Sequence, residues 1–248
     1  MRGSLRVALG LILLAAAGVV LMPAAWLDRP LAARTHARVR LAGAAGPWWR
    51  GHGVLTSEGG VARLAVAWRV MLMPLMTGTL VVELQPGDDD AMPSGTITAR
   101  RGSIEVRDLR VHAPAALVPA LMSVQEALAL GGDLELRAPA FSWRGNQGSG
   151  AFEATWRRAR AVAGPLAVNL GIVSASIAPS GDALGGTIRN SGGDVTIDGT
   201  VGERAGVIDV ALALKPTQSA PEAVRTMLPM LGTSDGAGGV RLTWRSAR

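Results

Sequence analysis

Gly95-Thr96-Ile97-Thr98-Ala99-Arg100-Arg101-Gly102-Ser103-Ile104-Glu105-Val106 is the stretch that decides the fold of this chain. Apolar residues alternate along its first limb, Gly102 supplies the positive φ of a turn, and alternation resumes at Ile104 and Val106, which predicts a β-hairpin. The same spacing returns without a gap as Gly186-Thr187-Ile188, Gly193, Val195 and Ile197. Beyond Val106 the pattern changes phase: Leu109 and Val111 would fall on the other face unless a bulge sits near Arg107-Asp108.

Working outward, the same order of pieces surrounds both hairpins. The first set runs Trp49-Arg50-Gly51, Trp68-Arg69, the strand Leu80/Val82/Leu84, the hairpin, a Pro-led helix from Pro119 to Leu130, and a strand from Gly132 to Leu136. The second runs Trp143-Arg144-Gly145, Trp156-Arg157, the strand Leu166/Val168/Leu170, the hairpin, a helix from Pro221 to Leu231, and a strand from Gly239 to Leu242, with a truncated third start at Trp244-Arg245. An ordered recurrence of this kind predicts two tandem β-rich repeats. Strands such as Ile208/Val210/Leu212/Leu214 and Val240/Leu242/Trp244 have the period of half-buried antiparallel sheet. Two short helices cover only part of the apolar face, and what remains must be met by curvature, a ligand or a partner.

The amino terminus carries no charge from Val7 to Leu27. At about 1.5 Å per residue these 21 residues span roughly 31 Å, the thickness of a hydrocarbon core. Val7, Leu11, Leu14, Val19 and Leu21 are therefore expected in a single transmembrane helix, with Trp26 at its interface; the rival is a cleaved signal peptide, against which no convincing small-x-small site appears before Trp26. The expected organisation is residues 1–6 in the cytoplasm, 7–27 in the membrane, 28–42 as linker or first strand, 43–137 as the first repeat and 138–248 as the second. Arg29, Arg34, Arg38 and Arg40 outnumber Arg2 and Arg6, but long domains translocate largely regardless of charge, so the carboxyl-terminal bulk is placed outside the cytoplasm.

Absence of cysteine excludes thiol chemistry and Cys-based metal sites. The net charge of +6 is spread along the chain, and only Arg100-Arg101 and Arg157-Arg158-Arg160 cluster, so no nucleic-acid partner is expected. Catalysis finds little support. His36, His52 and His112 sit in separate segments, none beside a carboxylate or serine in a nucleophile turn; Asp88-Asp89-Asp90 reads as a solvated loop, and Asn190 to Asp194 reads as a hairpin turn rather than a calcium loop. No metal or other cofactor is expected. Trp48, Trp49, Trp68, Trp143, Trp156 and Trp244 recur at unit positions, where core packing is the first expectation, although adjacent Trp48 and Trp49 cannot share one face of a strand. The candidate contact residues for a partner or lipid are Trp48, Trp49, Leu80, Val82, Ile208 and Val210.

One family shares this order of features. The uncharged segment ending in Pro23-Ala24-Ala25-Trp26-Leu27, then Trp49-x-Gly51, and Trp68 followed by Pro74 and Gly78, resembles protein N of the type II (general) secretion pathway of Gram-negative bacteria. The resemblance continues through Gly131-Gly132-Asp133-Leu134, Trp143 with Gly145, Gly148 and Gly150, Trp156, Leu170-Gly171 and Leu231-Gly232-x-x-Asp235-x-x-Gly238; Ile172 departs from it, standing where an aromatic is expected. It implies a single-pass inner-membrane protein with a periplasmic β domain, a non-enzymatic accessory of the machine that exports folded proteins. The implied partners are other secretion components, the inner-membrane platform or the secretin. A periplasmic lipid-binding β-groove is the alternative, by architecture alone.

Overall fold

The computed structural model describes residues 21–87, 92–122, 128–145, 147–164, 166–204, 207–230, 232–234 and 238–247. Its strands are β1 (Val39–Ala45), β2 (Arg50–Ser57), β3 (Arg63–Val70), β4 (Leu80–Leu84), β5 (Ser94–Arg100), β6 (Ser103–Pro114), β7 (Leu128–Arg144), β8 (Gln147–Gly150), β9 (Phe152–Ala163), β10 (Leu166–Ser180), β11 (Ala183–Ser191), β12 (Val195–Arg204), β13 (Val207–Pro216), β14 (Thr233–Ser234) and β15 (Val240–Ala247). They form one antiparallel sheet laid down almost entirely in chain order. The exceptions are β8, which folds back on the end of β7, and the last pair, where β15 joins β13 and β14 lies outermost. The helices are short: α1 (Asp28–Arg34), α2 (Leu72–Met76), α3 (Leu117–Met122) and α4 (Glu222–Met227).

Cross-strand register carries the period-two pattern across the sheet. On the apolar side, Ile177 lies opposite Gly186, Gly186 opposite Val201, Val201 opposite Val210, and Val210 opposite Trp244. On the polar side, His112 faces Glu135, Glu135 faces Thr155, Thr155 faces Ser174, Ser174 faces Arg189, and Arg189 faces Asp198. One face is thus apolar and the other polar over many strands, which is the signature of a sheet with one covered side.

The phase change after Val106 is a bulge, as the sequence predicts. Ser94 pairs with Arg110 while Thr96 pairs with Arg107, which leaves Asp108 as the extra residue at φ 51°. Gly95, opposite, sits at φ 135°, and a Cβ there would lie 2.7 Å from the Leu109 Cα. The same device recurs between β7 and β9, where Gly132 (φ 97°) faces Arg158 (φ 50°). Both bulges bend the sheet.

The β5–β6 and β11–β12 hairpins form where expected, but their registers differ by two residues. Ile97 lies opposite Val106, whereas Ile188 lies opposite Gly199. The second turn is wider because the Asn190 side chain replaces ladder bonds: its amide donates to the carbonyls of Leu170 (2.9 Å) and Val195 (2.7 Å), and its oxygen accepts from the Ile197 N–H (2.6 Å). Asp194 accepts the Asn169 N–H at 2.8 Å, so these polar side chains serve the turn itself.

Helix α3 is shorter than the sequence suggests. Leu128 to Leu130 already belong to β7, and Gly131-Gly132 is a bulge within that strand rather than a helix stop. Extended backbone prevails there because it continues the ladder with Ala163 to Arg160. Helix α4 keeps its expected place, with Pro221 as its N-cap and Pro229 held in the 3-10 turn that follows.

Three apolar clusters follow the sheet. The first gathers Ala24, Trp68 and Val70 with Leu27, Leu41, Trp48, Trp49 and Val82. The second holds Val106, Leu109, Ala138 and Phe141, with Phe141 and Phe152 in ring contact at 4.4 Å. The third joins Val195, Ile197, Leu214 and Val240 to Val224 and Leu228 from α4 and the turn after it. Helix α3 packs on β7 and also on β1 and β2, so the first seven strands curl around it.

Residues Val7, Leu11, Leu14 and Val19 of the expected membrane helix lie outside the described residues. The far end of the expected 7–27 span is different: Ala24–Leu27 is a 3-10 turn, and Ala24 is fully buried, its N–H bonded to the Gly46 carbonyl at 2.8 Å. That turn belongs to the β domain because Gly51 leaves room for the Ala24 methyl beside Trp68. Residues 28–42 comprise α1 and the first half of β1. Among the described residues, no helix is long and apolar enough to cross a membrane.

Candidate functional site

The two free edges of the sheet are built differently. At β1 the outward amides are taken: the Thr35 hydroxyl accepts the Val39 N–H at 3.2 Å, and the Asp28 carboxylate accepts the Leu41 N–H at 2.8 Å. Arg40 closes on the same carboxylate at 2.6 Å, and this hydrogen bond holds the Asp28 pKa below its ordinary value. A break in register between Ala42 and Ala45, with Gly43 at φ 60°, further spoils β1 as a template.

At the other edge, β14 covers only Val240 and Arg241 of β15. From Leu242 to Ala247 no described strand lies outside β15. Its inward residues grade from sealed to open: Val240 is buried beneath α4, Leu242 is half-buried, and Trp244 is 53% exposed. Val210, Trp244's cross-strand partner, and Val201 continue this open row. A hollow of about 500 Å³ lies over Thr200–Gly202, Asp209–Ala211 and Thr243–Arg245. Arg245 clamps Asp209 across the two strands at 2.5 Å, lowering the Asp209 pKa and fixing the backbone beside Trp244.

The sequence-nominated residues fall into two groups far apart along the sheet. Ile208 and Val210 are half-buried on β13 at the open end. Trp48, Trp49 and Val82 join the first apolar cluster, with the Trp68 Nε1–H donating to the Trp48 carbonyl at 2.7 Å, while Leu80 stays more exposed at the start of β4. Trp48 and Trp49 lie in the turn between β1 and β2, which lets both serve one cluster. Trp156 bonds the Gly131 carbonyl at 2.8 Å, much as Trp68 bonds Trp48. Trp244 departs from the core role of Trp68: it is 53% exposed, and among the described residues α4 covers Val240 instead.

A polar cluster on the wet face was not legible from the sequence. Glu135 is only 7% exposed, and Arg137, Arg157 and His112 converge on it, with His112 Nε2 at 3.3 Å. His112 therefore does stand beside a carboxylate, because register brings β6 and β7 together there. The Arg137 hydrogen bond holds the Glu135 pKa low against the opposing effect of burial. A carboxylate so saturated with cations ties three strands together and is a poor proton acceptor. Asp133 pairs with Arg158 beside it. Among the described residues, no group of His, Asp or Glu side chains is arranged to hold a metal ion.

No curated protein and no solved structure matches the chain. Residues 37–243, which include every strand from β1 to β14 and the start of β15, match the family of type II secretion system (T2SS) protein N, and the chain belongs to that family.

Proposed function

We propose that this protein is an accessory, non-enzymatic component of the type II secretion system, held at the inner membrane by its uncharged amino-terminal segment, which begins at Val7, with its β domain in the periplasm. In this reading the sheet is a docking module that joins the inner-membrane platform or the secretin. The observation that carries it is the contrast between the two edges: β1 is capped by Thr35 and Asp28, whereas β15 keeps Leu242 to Ala247 beyond the cover of β14. Natural sheets protect an edge that must not pair, so an edge left accessible beside an exposed tryptophan suits strand addition by a partner. The echo between residues 95–106 and 186–197 supports a duplicated origin for the sheet, with the two units divided near residue 137.

The test is a Thr243→Pro, Trp244→Lys double variant in cells, with a photo-crosslinker at Arg245 of the otherwise unaltered protein. Export of several exoproteins should fall while the variant accumulates normally, and the crosslinker should capture another secretion component. Normal export with no crosslink refutes docking at this edge. The open row of Val201, Val210 and Trp244 favours a second reading, a groove for lipid. Phospholipid co-purifying in stoichiometric amount, and lost on Trp244→Lys, would support that reading instead.

A further inference from the structure

In an antiparallel meander, alternate connections lie along one rim, and strand spacing of about 4.8 Å puts successive connections roughly 10 Å apart. One such rim carries the β1–β2 turn, the β3–β4 connection and the β5–β6 turn. The described chain also begins there. Leu21 is 74% exposed, Met22 accepts the Trp48 N–H at 2.9 Å, and Pro23 forms a bridge with Pro47. The uncharged run that begins at Val7 therefore enters the domain at this rim.

The β3–β4 connection, Met71 to Thr79, is apolar where a solvated loop would be polar. Met73 is 80% exposed and Met76 85%, with Leu75 and Leu80 beside them in sequence and also exposed. Their outward presentation is built into the backbone. The Pro74 carbonyl accepts the Thr77 hydroxyl at 2.8 Å and the Thr77 and Thr79 N–H groups at 3.0 Å, and Gly78 turns the chain at φ 75°. Arg100 and Arg101 flank this tip at the next connection, both exposed. On the preceding side, Ala24 opens the 3-10 turn that carries the exposed Trp26, and its N–H bonds the Gly46 carbonyl beside the β1–β2 turn.

We infer that this rim rests on an anionic phospholipid bilayer, with Met73 and Met76 entering the boundary between headgroups and acyl chains and Arg100-Arg101 meeting lipid phosphates. The entry of the uncharged amino-terminal segment at this rim, through Met22 and Pro23 beside the β1–β2 turn, and the alternation of apolar tips with arginines select lipid as the occupant. Such a foot fixes the orientation of the sheet relative to the bilayer by adding a second contact to the membrane segment. The inference uses the membrane placement proposed above but not docking at β15.

Because the chain has no cysteine, a single Met76→Cys substitution gives one labelling position, and Val61→Cys, 83% exposed on the opposite rim, gives a control. Both full-length proteins, carrying an environment-sensitive fluorophore, are reconstituted into phosphatidylethanolamine/phosphatidylglycerol vesicles. The label at position 76 should be quenched several-fold more by nitroxide-bearing lipid than the label at 61. That difference should shrink when phosphatidylglycerol is omitted and when Arg100 and Arg101 are replaced by Gln. Equal quenching of both labels by aqueous iodide overturns the inference. A label at 76 shielded from both quenchers also overturns it, in favour of a protein surface covering the tip. Neither result depends on Trp244, so a failure of edge docking is read separately.

Discussion

Replacing Gly95 by alanine is expected to destabilise the protein by about 1–3 kcal/mol, since the new methyl meets Leu109 backbone at a φ that disfavours any side chain. Gly102→Ala, in open space at φ 75°, should cost less, and paired thermal melts of the two variants check the difference. Glu135 gives a pH-dependent prediction. Its folded-state pKa lies below its unfolded value of about 4.3, so its contribution is present at neutral pH and is lost as pH falls through the folded pKa. Glu135→Gln should lower the midpoint of thermal unfolding at pH 7 and flatten its decline between pH 5 and 3. An unchanged acid limb in melts of the variant would show that other carboxylates dominate. The Asp108 bulge is legible in the sequence because alternation changes phase there. The Glu135 cluster is not, because only register decides that His112 and Arg157 face the same carboxylate.

At the scale of elements, α4 is the roof whose removal is most informative. Val224 is 1% exposed among Val195, Leu214 and Val240, and Val224→Ala should cost about 2 kcal/mol through lost burial and a partly uncollapsed cavity. Denaturant titration of full-length protein checks this, with Glu222→Ala on the exposed side as the near-neutral comparison. The sequence marks α4 well because Pro221 starts it and the apolar spacing has a helical period. It marks α3 poorly, because strand pairing beyond residue 127 overrides the helical spacing of Val124 and Leu128. The β11–β12 register was likewise hidden, since nothing in the residue types announces that Asn190 replaces two rungs of the ladder.

On the scale of the molecule, three apolar clusters strung along one sheet predict unfolding that is not a single transition. Each cluster is supported by its own neighbours, so the stretch around Trp68 and the stretch beneath α4 should lose protection at different denaturant concentrations in hydrogen exchange. One coincident transition at both ends would show tighter coupling than this arrangement implies. The mainly antiparallel β architecture follows from alternation and turn residues alone. The open end at Trp244 does not, because a tryptophan at a repeated position looks the same whether or not a helix lies over it.

Pairing in order of appearance also bears on biogenesis. From β1 to β7 each strand finds its partner in the segment synthesised immediately before it. A polypeptide threading out of a narrow exit can therefore add rungs one at a time, with little wait for distant sequence. The last stage differs: β15 must close on β13 across the intervening α4, so completion of the cluster around Val240 waits for β15 to emerge.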